Sequence, residues 1–322
     1  MKLGVLTVLY GNKSLDETLA HLKSLGVQSA EIGCGGYPGK AHCDPKVLLA
    51  DKEKLEAFKA TFVKHGIDIC ALAAHGNAVH PDKAVAKKFD DDFRFAVLLA
   101  EQLGVDTVIT FSGCPGGAPE DKTPNWVTCA WPDDYGRILE YQWNEVLIPY
   151  WKEAAAFAKS HGVTKIAFEM HPGFCVYNPE TLLRLRAAVG DSIGANFDPS
   201  HLIWQGIDPI LAIRELRGAI YHFHAKDTRV DKYNTAKNRV LDTKSFGDTN
   251  NRSWLFRTVG FGNDLLYWRD MMSQLAIAGY DKVVSIEHED ALMSDDEGLA
   301  KAVEFLKQAM LFESRTTGLH WA

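Results

Sequence analysis

Hydrophobic and polar positions along the chain alternate between two periods. Short apolar runs bounded by glycine or polar residues read as strands, and longer stretches with leucines three and four residues apart read as amphipathic helices. Residues 1–9 read as a first strand. Their apolar core is short and Tyr10-Gly11-Asn12-Lys13 follows in place of a small-residue cleavage site, so a signal peptide is the poorer reading. Ser14-Leu15-Asp16-Glu17 fits a capping box, Leu15, Leu19, Leu22 and Leu25 continue at helical spacing, and Gly26 suits the stop. Further strands are expected at 28–33, 67–73, 105–111, 165–171, 193–198, 219–224 and 282–287. Helices are expected between them at 51–65, 83–103, 133–161, from Asn178-Pro179-Glu180 onward, at 209–216 and at 263–278, with a last one at 297–312. Eight β-α units without a linker imply a parallel sheet closed into a (β/α)8 barrel, one domain over 1–322. The pattern fails from about Arg229 to Gly262, which is polar and aromatic without a period. A connection that long is expected to be a lid or a partner surface.

Composition narrows the function classes. With 46% hydrophobic residues the 322-residue chain can bury a large core, and a formal net charge of -7 leaves no basic stripe for nucleic acid and no polybasic anchor for a membrane. No run is long enough to span a bilayer. The six cysteines show no CxxC or zinc-ribbon spacing, which fits reduced thiols in a cytoplasmic protein. The glycine-rich stretch from Gly33 to Gly39 lacks both the GxGxxG order and a following Lys-Ser/Thr, so it reads as a rim loop rather than a phosphate cradle.

Four strand-like runs end on groups able to bind a metal: Glu169, Asp198, His224 and Glu287, one on each of the last four strands. Unpaired charges at buried strand ends cost several kcal/mol unless they are paired or metal-bound, and the C-terminal strand ends of such a barrel carry its site. Three carboxylates and one imidazole form an oxygen-rich set suited to Mn²⁺, with Co²⁺, Mg²⁺ or Zn²⁺ as alternatives. His222 competes with His224, and Glu289 with Glu287; in each pair the residue favoured is the one nearer its strand end or directly after the apolar run. His201, His171, Arg229 and His75 fall where a polar substrate would meet the ion, Lys226 and Asp227 read equally well as a rim ion pair, and Trp131 and Trp204 are candidate pocket walls.

Phe168-Glu169-Met170-His171-Pro172, Asp198-Pro199-Ser200-His201-Leu202, His222-Phe223-His224-Ala225-Lys226-Asp227 and Ser285-Ile286-Glu287-His288-Glu289-Asp290 resemble the motifs of the sugar phosphate isomerase/epimerase superfamily, with its xylose isomerase-like TIM barrel. The resemblance covers nearly the whole chain. It implies that Glu169, Asp198, His224 and Glu287 bind one divalent metal, that Glu169 and Glu287 also shuttle a proton, and that His201 contacts a substrate oxygen. It further implies a sugar or cyclitol isomerase or epimerase working through a metal-stabilised enediolate. Elimination, as in inosose dehydratases or 3-keto-glycoside lyases, is the alternative, and a non-catalytic sugar-binding subunit a second one. The endonuclease branch of the superfamily needs further histidines on early strands, and Phe111-Ser112 supplies none. The expected partner is a small carbohydrate or cyclitol, with a homo-oligomer or a small partner subunit compatible with the reading. The Arg229–Gly262 insertion departs from compact ketose epimerases.

Overall fold

The structure, a computed structural model, describes residues 1–313. Eight parallel strands close a barrel: β1 (Lys2–Leu6), β2 (Ser29–Gly33), β3 (Asp68–Ala73), β4 (Thr107–Thr110), β5 (Lys165–Glu169), β6 (Ile193–Phe197), β7 (Ile220–Ala225) and, after the two strands of a separate hairpin (β8, Asp227–Val230; β9, Trp254–Arg257), β10 (Val283–Ile286), which pairs with β1 to complete the circle. The barrel strands are almost wholly buried, as expected of a parallel sheet covered by helices. Among the described residues no helix is long and apolar enough to cross a membrane.

Two interiors coexist. The large apolar core fills the space between strands and surrounding helices, with Leu3, Leu99, Phe168, Phe197 and Trp268 fully buried there. Inside the barrel, a small apolar cluster of Ala71, Ile109 and Ala167 occupies one side, and Glu31, His222, His224 and Ser285 form a polar network on the other. That polar half is what makes room for chemistry.

Local signals mostly act as the sequence implies. Ser14 and Glu17 form the capping box of the helix Leu15–Ser24. Asn178 caps Pro179–Val189, with Thr181 answering at N3. The helix expected over 133–161 is instead Asp133–Glu140, a π-helical segment Tyr141–Leu147 and Ile148–Ser160. Pro149 has no N–H to give to the carbonyl of Glu145 and its ring crowds that carbonyl, so the ladder widens just before it, and the Ile148 N–H bonds to Trp143 O. The glycine-rich rim loop packs tightly: a Cβ on Gly36 (φ +62°) would lie 1.8 Å from the carbonyl oxygen of His75, which also accepts from the Tyr37 N–H.

The insertion is more ordered than its lack of period suggests. β8 and β9 pair antiparallel, with Asp231 capping the short helix Lys232–Asn238 between them. Asp227 latches the far end of the segment: its carboxylate accepts from the N–H groups of Gly260, Gly262 and Asn263 and from the Asn263 amide and Trp268 indole. A side chain on Gly262 would meet Asp227 Oδ1 at 2.5 Å. Removing that carboxylate leaves several buried donors without a partner, each costing on the order of 1–3 kcal/mol. Asp227→Ala is therefore expected to lower unfolding free energy in urea by at least about 3 kcal/mol, whereas loss of the half-buried cap in Asp231→Ala costs about 1 kcal/mol. Equal losses in the two variants would contradict the latch.

Candidate metal and active site

The barrel carries its candidate site at the C-terminal strand ends. Glu169 is the last residue of β5; Asp198 and Glu287 directly follow β6 and β10; His224 is the fifth residue of β7. One ligand atom from each of these four lies within 4.8 Å of every other. The convergence expected from the strand ends is present.

His224 is the pivot. Its Nδ1 lies 3.2 Å from Glu287 Oε2 and 3.3 Å from Glu169 Oε2, and its Nε2 lies 2.9 and 3.0 Å from the oxygens of Glu31. Glu31 sits on β2 and reaches across the interior, where Ser285 Oγ and His222 Nε2 also donate to it. A carboxylate on one ring nitrogen fixes the tautomer and turns the other nitrogen toward the site, the arrangement common behind metal-bound histidines. Burial opposes an imidazolium at His224, but Glu31 and Glu287 outweigh it and raise its proton affinity well above the ordinary range. Burial likewise opposes the charge on Glu31, which the two histidines nevertheless hold well below the usual carboxylate range.

Each carboxylate is held differently. Burial disfavours ionised Glu169, yet hydrogen bonds from His201 (2.9 Å), His224 and His75 (3.1 Å) keep it ionised, and the Asn196 amide donates at 3.2 Å. Glu287 is brought to about 2 by Lys226 and His224 against burial and the charge of Glu169. Asp198 is pushed up to about 7 by burial, with Glu169 and Glu287 adding to the rise and Lys226 opposing it. Its Oδ1 caps the helix Pro199–Trp204 by accepting from the Ser200 N–H, while its buried Oδ2 accepts no well-formed hydrogen bond and faces the Lys226 ammonium at 3.1 Å and His201 Nε2 at 3.3 Å. A buried carboxylate oxygen that accepts no well-formed hydrogen bond, beside two other carboxylates and an imidazole, belongs to a donor set of the kind a divalent cation satisfies. The residues present fit the ion.

The other expected contacts divide. His75 and His201 are buried and bonded to Glu169; His171 lines the cavity, its Nδ1 donating to Pro172 O. His222 lies one step deeper, engaged by Glu31, so His224 is the member of that pair that faces the carboxylates. Glu289 does not join the four; it bonds to Lys226. Arg229 is not at the site. Because β8 starts a separate hairpin, its side chain is exposed and donates to Gly262 O. Nor do Lys226 and Asp227 pair with each other. Lys226 turns inward, its ammonium 2.6 Å from Glu287 Oε2 and 3.1 Å from both Asp198 Oδ2 and Glu289 Oε2, and Asp227 is the latch described above. Trp204 stacks on Trp254 along a neighbouring cavity, whereas Trp131 is 76% exposed and lines neither that cavity nor the one at the strand ends.

Sequence reasoning missed Glu31, Asn196 and the inward role of Lys226. Glu31 had a signal: a lone carboxylate between Ala30 and Ile32 in a strand, with no nearby partner to justify its burial.

Comparison with known proteins gives a consistent picture. An uncharacterised Bacillus subtilis protein, YfiH, is 42% identical over 312 residues, covering 96% of this chain and 99% of that one. An inosose dehydratase of Mesomycoplasma hyopneumoniae is 24% identical, covering 96% and 94%. Among solved structures, the IOLI protein with a bound zinc atom superposes with a TM-score of 0.65 at 20% identity, covering 96% of each chain. D-psicose 3-epimerase from Clostridium cellulolyticum gives a TM-score of 0.60 at 14% identity, covering 96% of this chain and 99% of that one. The family model described as "Xylose isomerase-like TIM barrel" matches residues 19–309, and the chain therefore belongs to that family.

Proposed function

We propose that the protein is a divalent-metal-dependent isomerase or epimerase of a sugar or cyclitol, abstracting a proton from carbon next to a carbonyl. One observation carries the reading: Glu169 and Glu287 flank the same face of His224, within 3.3 Å of its Nδ1. Two carboxylates on either side of one bound carbon can take a proton from one face or atom and return it to another. A divalent cation held by Glu169, Asp198, His224 and Glu287, with Mn²⁺ suiting so oxygen-rich a set, would supply Lewis-acid stabilisation of the negative charge developing on the carbonyl oxygen.

The chain's own groups do the rest. Both glutamates are held ionised, so either can accept the first proton. His201 orients Glu169 as a neutral hydrogen-bond donor, since burial brings its pKa down to about 3. His75 braces the other oxygen of the same carboxylate, itself backed by the rim loop. Lys226 places an ammonium beside Glu287, where it can donate to a substrate hydroxyl. That cation also supports a second reading, elimination of a β-hydroxyl, because a buried ammonium can stabilise a departing oxygen. The similarity to an inosose dehydratase over 96% of the chain favours the same alternative.

Glu169→Gln and Glu287→Gln are each expected to slow solvent-deuterium incorporation into a panel of ketoses, inososes and 3-keto-glucosides by at least about 10²-fold. The product formed by the wild-type protein would separate isomerisation from elimination. A variant exchanging at the wild-type rate would remove that glutamate from the chemistry. Glu31→Gln should leave the fold intact while weakening Mn²⁺ binding, read by calorimetric titration, about 10- to 100-fold. Unchanged affinity would show that Glu31 does not orient His224.

A further inference from the structure

The cavity at the strand ends continues beyond the candidate metal centre. The chamber lined by His75, Glu169, Lys226 and Glu287 has a volume of about 170 Å³. That is below the roughly 300–1,000 Å³ of ordinary ligand clefts. Two further chambers adjoin it, of about 380 and 410 Å³. His171 lines all three, Glu289 links the first two, and Phe246 and Phe256 line both outer ones. The three chambers thus share walls, one beside the next, outward from Glu169 and Glu287.

The walls of the outer chambers are aromatic, and the insertion builds most of them. Trp254 of β9 stacks on Trp204 with ring centres 4.6 Å apart and planes 5° off parallel. Phe256 of the same strand lies edge-on to His201 at 5.3 Å and stacks with Phe246 at 5.8 Å. The ammonium of Lys226 sits 4.6 Å from the Phe256 ring, so the aromatic wall begins where the candidate site ends. Phe246 and Leu241 remain 57% and 65% exposed. Polar side chains there are few: Asp242 accepts from Lys244 and from the Ser253 N–H, Arg252 is bonded to the carbonyls of Lys244 and Trp254, and Nη2 of Arg252 and the indole N–H groups of Trp126 and Trp204 have no partner. A second sugar ring would present hydroxyls along its whole edge to a wall that is mostly aromatic faces, with these few donors between them. A flat apolar group needs only faces to stack on.

We infer that the substrate is a sugar or cyclitol ring bearing an aryl substituent, the ring at the carboxylate end and the aryl group between Phe246, Phe256 and Trp254. This rests on the reading of the site as one that acts on such rings. It also makes the insertion the source of specificity for the part of the substrate that does not react. Binding energy from a non-reacting part of this kind helps position the reacting carbon.

Binding can be measured apart from turnover. Calorimetric titration of the Mn²⁺-treated 322-residue chain with 4-nitrophenyl β-D-glucoside, methyl β-D-glucoside and cellobiose is expected to give at least roughly tenfold tighter binding of the aryl glycoside, the scale of a well-buried aromatic contact. Phe246→Ala and Leu241→Ala, at exposed positions that do not hold the core, should each reduce that preference at least threefold while the thermal unfolding temperature stays unchanged. Equal binding of aryl and methyl glucosides, or a preference for cellobiose, would overturn the inference. So would a dimer in the ultracentrifuge that Phe246→Ala dissociates, since the wall would then be an interface. An aryl preference without any deuterium exchange would leave this subsite standing and remove the catalytic reading instead; exchange without an aryl preference would do the reverse.

Discussion

The arrangement depends on one clamp. Glu31 holds Nε2 of His224 from below, and Nδ1 is thereby presented to Glu169 and Glu287 above. β2 and β7 are not neighbours: β1 and β10 lie between them in the circle. The contact therefore exists only because the barrel closes, joining residues 193 positions apart. A buried carboxylate is tolerable there because His222, His224 and Ser285 all satisfy it. The polar half of the barrel interior is thus both a consequence of closure and the support of the candidate site.

Above that clamp the site holds more negative than positive charge. Lys226 balances part of it, standing between Asp198, Glu287 and Glu289, and is kept charged by them despite its burial. Asp198 nevertheless has a raised proton affinity, and its Oδ2, 3.1 Å from that ammonium, accepts no well-formed hydrogen bond. A site that leaves one carboxylate hard to ionise has room, electrostatically, for a further cation. The neutral His201 and the braced His75 then act on Glu169 rather than compete for that cation.

How far the sequence can be read depends on which interactions are local. Strand ends, caps and helix periods are local, and they place Glu169, Asp198, His224 and Glu287 on successive strands at one end of the barrel. The π-helical turn before Pro149 was legible in principle, since proline removes a donor wherever it falls. Glu31 was not assigned because its partners are on β7 and β10, far along the chain, although its position in an apolar strand was itself a warning. Lys226 and Asp227 show the other limit. They are adjacent in sequence, but the chain leaves the barrel between them, so one joins the site and the other latches the insertion. The same departure turns Arg229 outward. The insertion shows no period because its order comes from one buried carboxylate and from ring stacking, neither of which repeats along a sequence.

Most of this chemistry turns on whether one divalent ion is held by four side chains of the barrel rim, with Nδ1 of His224 among them. X-ray absorption spectroscopy of the Mn²⁺-loaded protein tests that most directly. One ion per chain is expected, with oxygen-rich first-sphere scattering and a single imidazole contribution that disappears in His224→Ala. A bound ion with no imidazole scattering, or one whose spectrum is the same in that variant, would contradict it.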